Sequence, residues 1–215
     1  IIPMKRREFS LAAAGLATGL PIVVRAQAKP PEEGHDYRSL SKRVPVEAPQ
    51  GKIEVVDFFW YSCPHCNAFE PTLQAWSKRM PADVTLRRIP AAFRDDMVPQ
   101  QRLFYTLEAM GKVEELHGKV FDAIHKEGLP LTRQQPIADW IAKQGIDPQK
   151  FIDVYNSFAV SAKARRAIEL QDQYGVEGVP AMGVAGRYYT DGTLATNNPR
   201  MLQVVDYLIG EARKK

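Results

Sequence analysis

Residues 53–66 read IEVVDFFWYSCPHC, an apolar run that ends in the only two cysteines of the chain. The run from Ile53 to Phe59 has the length and the β-branched and aromatic content of a buried strand. Cys63 and Cys66 follow with the C-x-x-C spacing that is typical of a redox pair. This order predicts a strand that delivers two thiols to the first turn of a helix.

The start of the helix distinguishes the two thiols. If the helix begins at Cys63, its sulfur lies among unpaired backbone N–H groups at the positive end of the helix dipole. Cys66 would lie one turn further on and be partly covered, so we predict that Cys63 is the nucleophile and Cys66 the resolving thiol. Pro64 and His65 stand between them, and His65 can donate to the Cys63 thiolate. The alternative for His65 is a solvated loop residue without an electrostatic role.

Two other functions are known for a C-x-x-C motif. A haem attachment site needs His directly after the second Cys, and Asn67 stands there. A structural zinc site needs four ligands and would have to recruit the scattered His35, His117 and His125, of which His117 and His125 are expected on a helix surface. We therefore expect redox chemistry with no metal and no cofactor.

The first 28 residues have the pattern of an export signal. A basic stretch at residues 5–7 precedes the apolar run Phe9–Val24, and Ala26-Gln27-Ala28 resembles a signal-peptidase site, with residues 1–3 upstream of the signal. The run contains 16 residues, fewer than the roughly 20 that span a bilayer. Arg6-Arg7 also resembles a twin-arginine signal, so the Sec and twin-arginine routes both stay open.

Without this signal the charge of the chain is nearly balanced. The full chain has 29 basic and 25 acidic residues, and residues 1–28 hold four of the basic and one of the acidic ones, which leaves 25 and 24. No clustered basic face with interleaved aromatic residues is present, so we expect no nucleic-acid partner. A single tight cysteine pair is also unlike the several spaced cysteines of a disulfide scaffold.

The order of the predicted elements indicates a thioredoxin-like sheet with an inserted all-helical domain. A β-α-β unit at residues 53–89 is followed by consecutive helices and then by an α-β-β-α segment. We assign residues 29–93 and 166–215 to the thioredoxin-like domain and residues 94–165 to the insertion. Residues 37–40 are expected to add a short edge strand.

Several helix and turn signals support this order. Thr132-x-x-Gln135 is a candidate capping box, and Asp147-Pro148 is an N-cap followed by Pro at the first helical position. Ala185-Gly186 is a two-residue hairpin turn between short strands, and Asn198-Pro199 opens the last helix.

Three parts of the sequence resemble a known protein family. The segment Phe58–Cys66, the pair Phe69-Glu70 and the segment Gly178–Met182, which reads GVPAM, resemble the DsbA family of periplasmic thiol:disulfide oxidases. The resemblance spans essentially the whole chain after the signal. It implies a low pKa for the first cysteine, a strongly oxidising couple, and oxidation of reduced or unfolded exported proteins in the periplasm. It also implies a membrane quinone reductase of the DsbB type as the reoxidising partner.

A lone acid lies within the predicted strand. A buried carboxylate at Asp57 is costly unless it is paired or protonated, which makes it a proton-acceptor candidate. In thioredoxin-like proteins the corresponding acid lies beneath the cysteines and helps to deprotonate the resolving thiol, here Cys66. DsbA relatives often carry Glu at this place, so we expect the shorter Asp57 to need a bridging water. Glu70 and Arg88 belong to the same charge network or form an ordinary ion pair.

Val179-Pro180 is the second chemical signal. Proline has no N–H, so in front of a strand it leaves the preceding backbone free to pair with an extended peptide. In the resembling families this X-Pro bond is cis and faces the disulfide, whereas the alternative is an ordinary trans proline at a strand start. Gly183 departs from the family pattern, where a bulkier residue is usual, and it is expected to weaken the strand and alter the groove.

The sequence therefore predicts an exported, monomeric dithiol oxidase that acts on unfolded clients. Two other functions stay open. A disulfide isomerase or reductase shares the fold, but the resembling isomerases carry a substantial dimerisation segment in front of the sheet. A nonenzymatic peptide-binding chaperone would have no use for both cysteines together with His65.

Overall fold

The computed structural model describes residues 29–214. The expected export signal, residues 1–28, lies outside the described residues. Among the helices that the structure describes, none combines the length and the apolar character that crossing a bilayer demands.

One mixed sheet of five strands organises the part of the chain that the structure describes. The strands lie in the order β1-β5-β4-β2-β3, with β2 parallel to β3 and the other neighbouring pairs antiparallel. Their bounds are β1 Arg38–Ser39, β2 Ile53–Phe59, β3 Val84–Pro90, β4 Ala181–Val184 and β5 Tyr188–Asp191.

Within residues 29–214, seven α-helices surround the sheet, and five of them are consecutive between β3 and β4. Asp147 caps α5 as expected, since its carboxylate accepts from the backbone N–H groups of Gln149 and Lys150. The bounds are α1 Pro64–Ser77, α2 Val98–Ala109, α3 Val113–His125, α4 Gln134–Lys143, α5 Pro148–Tyr155, α6 Phe158–Tyr174 and α7 Asn198–Arg213, with a 3₁₀ turn at Asp95–Met97 before α2.

The alternation of side chains along β2 divides the core into two layers. Val55 packs with α1 and α7 on one face of the sheet, whereas Val56 and Phe58 pack with the inserted helices on the other face. By the same alternation Asp57 lies on the face that α1 covers. The strand therefore needs apolar residues on both faces, which explains a hydrophobic run that only Glu54 and Asp57 interrupt.

Most expected elements agree with the structure, and one cap does not. The edge strand at residues 37–40 is present as β1, and α6 continues across the domain junction expected between residues 165 and 166, so the exact division stays a prediction. The capping box at Thr132–Gln135 is wrong, because α4 begins at Gln134 with Arg133 as its N-cap and no side chain caps it.

The hairpin between β4 and β5 has the expected two-residue turn. Ala185 and Gly186 both have positive φ, at 55° and 63°, and Arg187 N donates to Val184 O. This is the twist that joins antiparallel strands without splaying them. A Cβ on Gly186 would also lie 2.0 Å from Val44 O, so glycine is required there for space as well as for conformation.

Gly183 makes room for an aromatic ring. It lies within β4, paired with Val56 and Tyr189, and a Cβ built on it would lie 2.2 Å from Cε1 of Tyr174. Tyr174 is the last residue of α6 and is 1% exposed, so its ring cannot move into solvent. The absence of a side chain at Gly183 lets the end of α6 pack directly on the sheet.

We expect Gly183→Ala to lower the free energy of unfolding by about 1 to 3 kcal/mol, because the added methyl overpacks the Tyr174 ring. Gly210→Ala is the matched control, since the space around Gly210 in α7 is open and alanine favours a helix by about 1 kcal/mol. Urea unfolding of both variants measures the difference. The cost should shrink in a Tyr174→Leu background, and equal stability of the two glycine variants would contradict the packing account.

Candidate active site

The two cysteines lie at the junction between the end of β2 and the start of α1. Cys63 is the N-cap of α1, with φ −79° and ψ 117°, so the helix begins at Pro64, one residue later than expected. Cys66 lies in the first turn. Cys63 is 7% exposed and Cys66 is 2% exposed, and both are free thiols. The first sulfur is therefore the one nearer to solvent.

The environment of the pair favours charge on Cys63 and opposes it on Cys66. A hydrogen bond from the Cys66 thiol, together with the backbone N–H groups of Cys66 and His65 and the charge of His65, lowers the pKa of Cys63 to about 6 against the opposing effect of burial. Burial raises the pKa of Cys66 well above its usual value, and the hydrogen bond and charge of Cys63 raise it further. One thiolate is thus stabilised at neutral pH and the other is not.

The start of β4 lies beside the nucleophilic sulfur. Because β4 runs antiparallel to β2, with Ala181 opposite Phe58, the residues before β4 lie next to the residues after β2. The Val179–Pro180 peptide bond is cis, and the Cys63 thiol donates to Val179 O at 3.5 Å. The backbone of Val179 is therefore in direct contact with the reacting group.

A cleft of about 790 Å³ opens beside the cysteine pair. His65 is exposed at its edge, so it faces an incoming molecule as well as the thiolate. A second cleft, of about 810 Å³, lies at the opposite end of the strands, beside Ile53 and Ala185. Residues lining the first cleft include His65, Gly178, Val179, Pro180, Tyr189 and Asn197.

Asp57 is a buried acid on the face that α1 covers. It is 1% exposed, and its Oδ1 has no hydrogen-bond partner. Burial and the nearby charge of Glu70 raise the pKa of Asp57 to about 7, against the opposing charge of Arg88, its neighbour across the β2–β3 ladder. Asp57 is close enough for its charge to raise the pKa of Cys66. It is therefore placed to exchange a proton with the resolving thiol near neutral pH.

Glu70 and Arg88 form a largely buried ion pair. Arg88 Nη2 donates to Glu70 Oε1 at 2.8 Å, and the two side chains are 15% and 13% exposed. Although burial opposes ionisation, His117 and Arg88 together lower the pKa of Glu70, so its carboxylate stays charged. That fixed negative charge is one reason why Asp57 resists deprotonation.

His117 completes this cluster, and its expected position on the helix surface is wrong. It is 5% exposed, its Nε2 lies 3.4 Å from Glu70 Oε2, and its Nδ1 lies 2.9 Å from the hydroxyl of Tyr61. Burial lowers the pKa of His117, which favours the neutral ring. A proton on Nε2 then faces Glu70, and Nδ1 accepts from Tyr61.

Comparisons with known proteins agree with this geometry. A family model described as a DSBA-like thioredoxin domain matches residues 83–208, and the "Thiol:disulfide interchange protein DsbA" of Burkholderia cepacia is 42% identical over 207 residues, 95% of each chain. The crystal structure of Pseudomonas aeruginosa DsbA is similar with a TM-score of 0.80 at 45% identity, covering 84% of this chain and 94% of that one. The chain belongs to the DsbA family.

Membership of the DsbA family establishes the activity and the fold class. The chain is a thiol:disulfide oxidoreductase with a thioredoxin-like sheet and an inserted helical domain. The family-model match begins at residue 83, after the C-x-x-C motif, whereas the alignment with the Burkholderia cepacia protein spans 95% of the chain. The roles of individual site residues in this DsbA-family chain stay predictions that rest on the geometry above.

A sequence signal for His117 was available. It lies four residues after Val113 and four before Phe121, both of which belong to the apolar stripe of α3. A histidine in line with such a stripe faces the core, where its ring nitrogens need partners. The partners themselves, Glu70 on α1 and Tyr61 before it, are more than 40 residues away in the chain, and no spacing rule connects them.

We expect Asp57→Asn to change both the pH dependence of stability and the rate of exchange. The folded pKa of Asp57, about 7, exceeds the unfolded value of about 3.9, so its favourable contribution is full below the unfolded pKa and is lost as pH rises through 7. Between pH 4 and pH 8 the free energy of unfolding of the natural protein should therefore fall by on the order of 3 kcal/mol. The Asp57→Asn variant should not show this fall. Denaturant unfolding across this range measures the difference.

The same variant should exchange disulfides at least about tenfold more slowly at pH 7, because the resolving thiol loses its proton partner. Glu54→Gln is the control, since Glu54 is another buried acid of β2, 2% exposed, at the far end of the strand from the cysteines. Stopped-flow kinetics with a dithiol peptide separates the two variants. Equal rates for both would remove Asp57 from the mechanism.

Proposed function

We propose that this protein oxidises newly exported proteins by donating its Cys63–Cys66 disulfide to them. The single observation that carries the proposal is the opposite electrostatic environment of the two thiols. Cys63 is stabilised as a thiolate and Cys66 is not, so the reduced pair is favoured and the disulfide is a good electron acceptor.

The exchange proceeds in two displacements. A client thiolate attacks the Cys63 sulfur of the disulfide, which forms a bond between client and Cys63 and releases Cys66, whose sulfur takes a proton from Asp57. A second client thiolate then attacks the client sulfur of this mixed disulfide and releases Cys63 as a thiolate. The client loses two electrons and gains a disulfide, and the protein is left as the dithiol with Cys63 ionised.

The electrostatic effect favours transfer of the disulfide to clients. Each pKa unit by which the Cys63 thiolate is stabilised at a given pH is equivalent to about 1.4 kcal/mol, or about 30 mV for a two-electron couple. A pKa of about 6 rather than 9.0 therefore shifts the couple at pH 7 by about 30 mV toward oxidation of clients, and the shift grows as pH rises.

The cleft beside the cysteines is the proposed client site. An extended client segment could pair with the Val179 backbone, since Pro180 offers no N–H at the next position. His65 at the edge of the cleft would contact the same segment. We place this reaction in the periplasm, in keeping with the export-signal pattern of residues 1–28, and propose that a DsbB-type membrane quinone reductase accepts the two electrons from the reduced pair.

The order of the sulfurs predicts which variant traps clients. Cys66→Ser should accumulate mixed disulfides through Cys63, because no resolving thiol remains to release the client. Cys63→Ser should accumulate few, since Cys66 is buried and its pKa is raised. Non-reducing gels of periplasmic extracts measure both, and equal or reversed trapping would overturn the assignment.

The reduced protein should be more stable than the oxidised one at neutral pH, with the difference shrinking in acid. The folded pKa of Cys63, about 6, lies below the unfolded value of about 8.5, so its contribution is full above the unfolded pKa and is lost as pH falls through 6. The loss between pH 7.5 and pH 5 should be about 2 kcal/mol. The contribution of Asp57 is common to both forms and largely cancels.

Denaturant unfolding of both redox forms measures the difference between their free energies of unfolding. His65→Ala is expected to reduce this difference. His35→Ala, at a remote and exposed position, is the control and is expected to leave the difference unchanged. Equilibration with a glutathione buffer then tests the direction of transfer. A reduction potential as low as about −270 mV, the value typical of a reductant such as thioredoxin, would show that the protein is not an oxidase.

A further inference from the structure

The chain that leads into the nucleophile forms a tight turn. β2 ends at Phe59, and Cys63 N donates to Trp60 O at 3.0 Å, which closes a four-residue turn, Trp60–Cys63. This turn sets the direction in which the Cys63 side chain leaves the backbone. Its two central residues, Tyr61 and Ser62, belong to neither the strand nor the helix.

Gln100, a residue of the inserted helical domain, forms hydrogen bonds with Ser62, the second central residue of this turn. It lies in the first turn of α2 and is 1% exposed. Its Oε1 accepts from Ser62 N at 3.2 Å, and its Nε2 donates to Ser62 Oγ at 2.7 Å and to Leu131 O at 3.0 Å. One buried amide thus joins the residue directly before Cys63 to α2 and to the loop that precedes α4.

His125, also from the inserted helical domain, forms a hydrogen bond with Tyr61, the first central residue of the turn. It is the last residue of α3, its Nε2 donates to Tyr61 O at 2.7 Å, and its ring stacks on Phe121. A carbonyl oxygen can only accept, so Nε2 carries the proton in this contact. The backbone of both central residues is therefore fixed by side chains of the insertion.

We propose that Gln100 and His125 are positioning residues of the exchange reaction, which hold the Trp60–Cys63 turn so that the Cys63 sulfur stays aimed at the N–H groups of α1. Neither residue touches the sulfur. Both act through the backbone of Tyr61 and Ser62. The inserted helical domain therefore contributes to the reactivity of Cys63.

Gln100→Met tests this proposal, because methionine nearly keeps the volume of the side chain and removes all three hydrogen bonds. The turn should loosen and the pKa of Cys63 should rise by about half a unit or more, so that its alkylation by iodoacetamide at pH 5 becomes about threefold slower or more. Site-resolved alkylation rates across pH 4–9 give the pKa directly.

Gln101→Met is the matched control. Gln101 is the next residue of α2, is also 1% exposed, and donates to Pro90 O at 2.8 Å rather than to a residue of the turn. It should lose less stability, because one hydrogen bond is removed instead of three, and it should leave the pKa of Cys63 unchanged. If both variants keep the natural alkylation profile, Gln100 is only structural and the proposal is wrong.

A second pair of variants decides the matter if Gln100→Met does not fold. His125→Leu removes the donor to Tyr61 O at a half-buried position and should raise the pKa of Cys63, whereas His125→Gln keeps a donor and should restore the natural value. Equal pKa values in this pair would overturn the proposal. The proposal rests on the proposed function, in which Cys63 is the reactive thiolate. Titration of Cys63 in the unmodified protein tests that function separately. A pKa near 8.5 in the unmodified protein would refute the function itself, whatever the variants show.

Discussion

The hydrogen bonds that the start of α1 gives to the Cys63 sulfur are the interaction on which the rest of the site depends. Cys63 occupies the N-cap position, where backbone N–H groups have no partner within the helix. A sulfur anion satisfies such groups, and the helix dipole favours its charge. Cys66, one turn further, has the same chemistry in a buried environment and cannot hold a charge. One helix terminus thus creates two thiols with opposite preferences.

The sheet brings the other parts of the site to this helix terminus. β2 delivers Asp57 beneath α1 and then the turn that carries Cys63. β4 starts next to the end of β2 because the two strands are antiparallel, so Pro180 and Val179 meet the sulfur although 116 residues separate Val179 from Cys63. The five consecutive helices fill that interval. The insertion can therefore vary in length without moving the proline, provided that the β2–β4 register is kept.

Local patterns were sufficient to predict the parts of the site that follow one another in the chain. The strand, the cysteine pair, His65 and the hairpin at Ala185-Gly186 each have a short-range signature, and all of them have the expected geometry. Patterns failed where a distant partner decides the outcome. The capping box at Thr132 is a statistical preference that the fold did not use, and Gly183 has its reason in the ring of Tyr174, which comes from another element.

The contacts of the buried polar residues around Asp57 also depend on distant partners and could not be predicted from local patterns. These residues bear on the reactivity of the site as well. Buried side-chain atoms without a hydrogen-bond partner among the described residues include Asp57 Oδ1 and Arg88 Nε. Each unpaired atom costs stability, and a structure optimised only for stability would pair or replace them. A fully paired Asp57 carboxylate would be held in its ionised form and would have no proton to give near pH 7. In the proposed exchange, burial and the charge of Glu70 hold the pKa of Asp57 at about 7, which keeps a proton available to Cys66 near that pH.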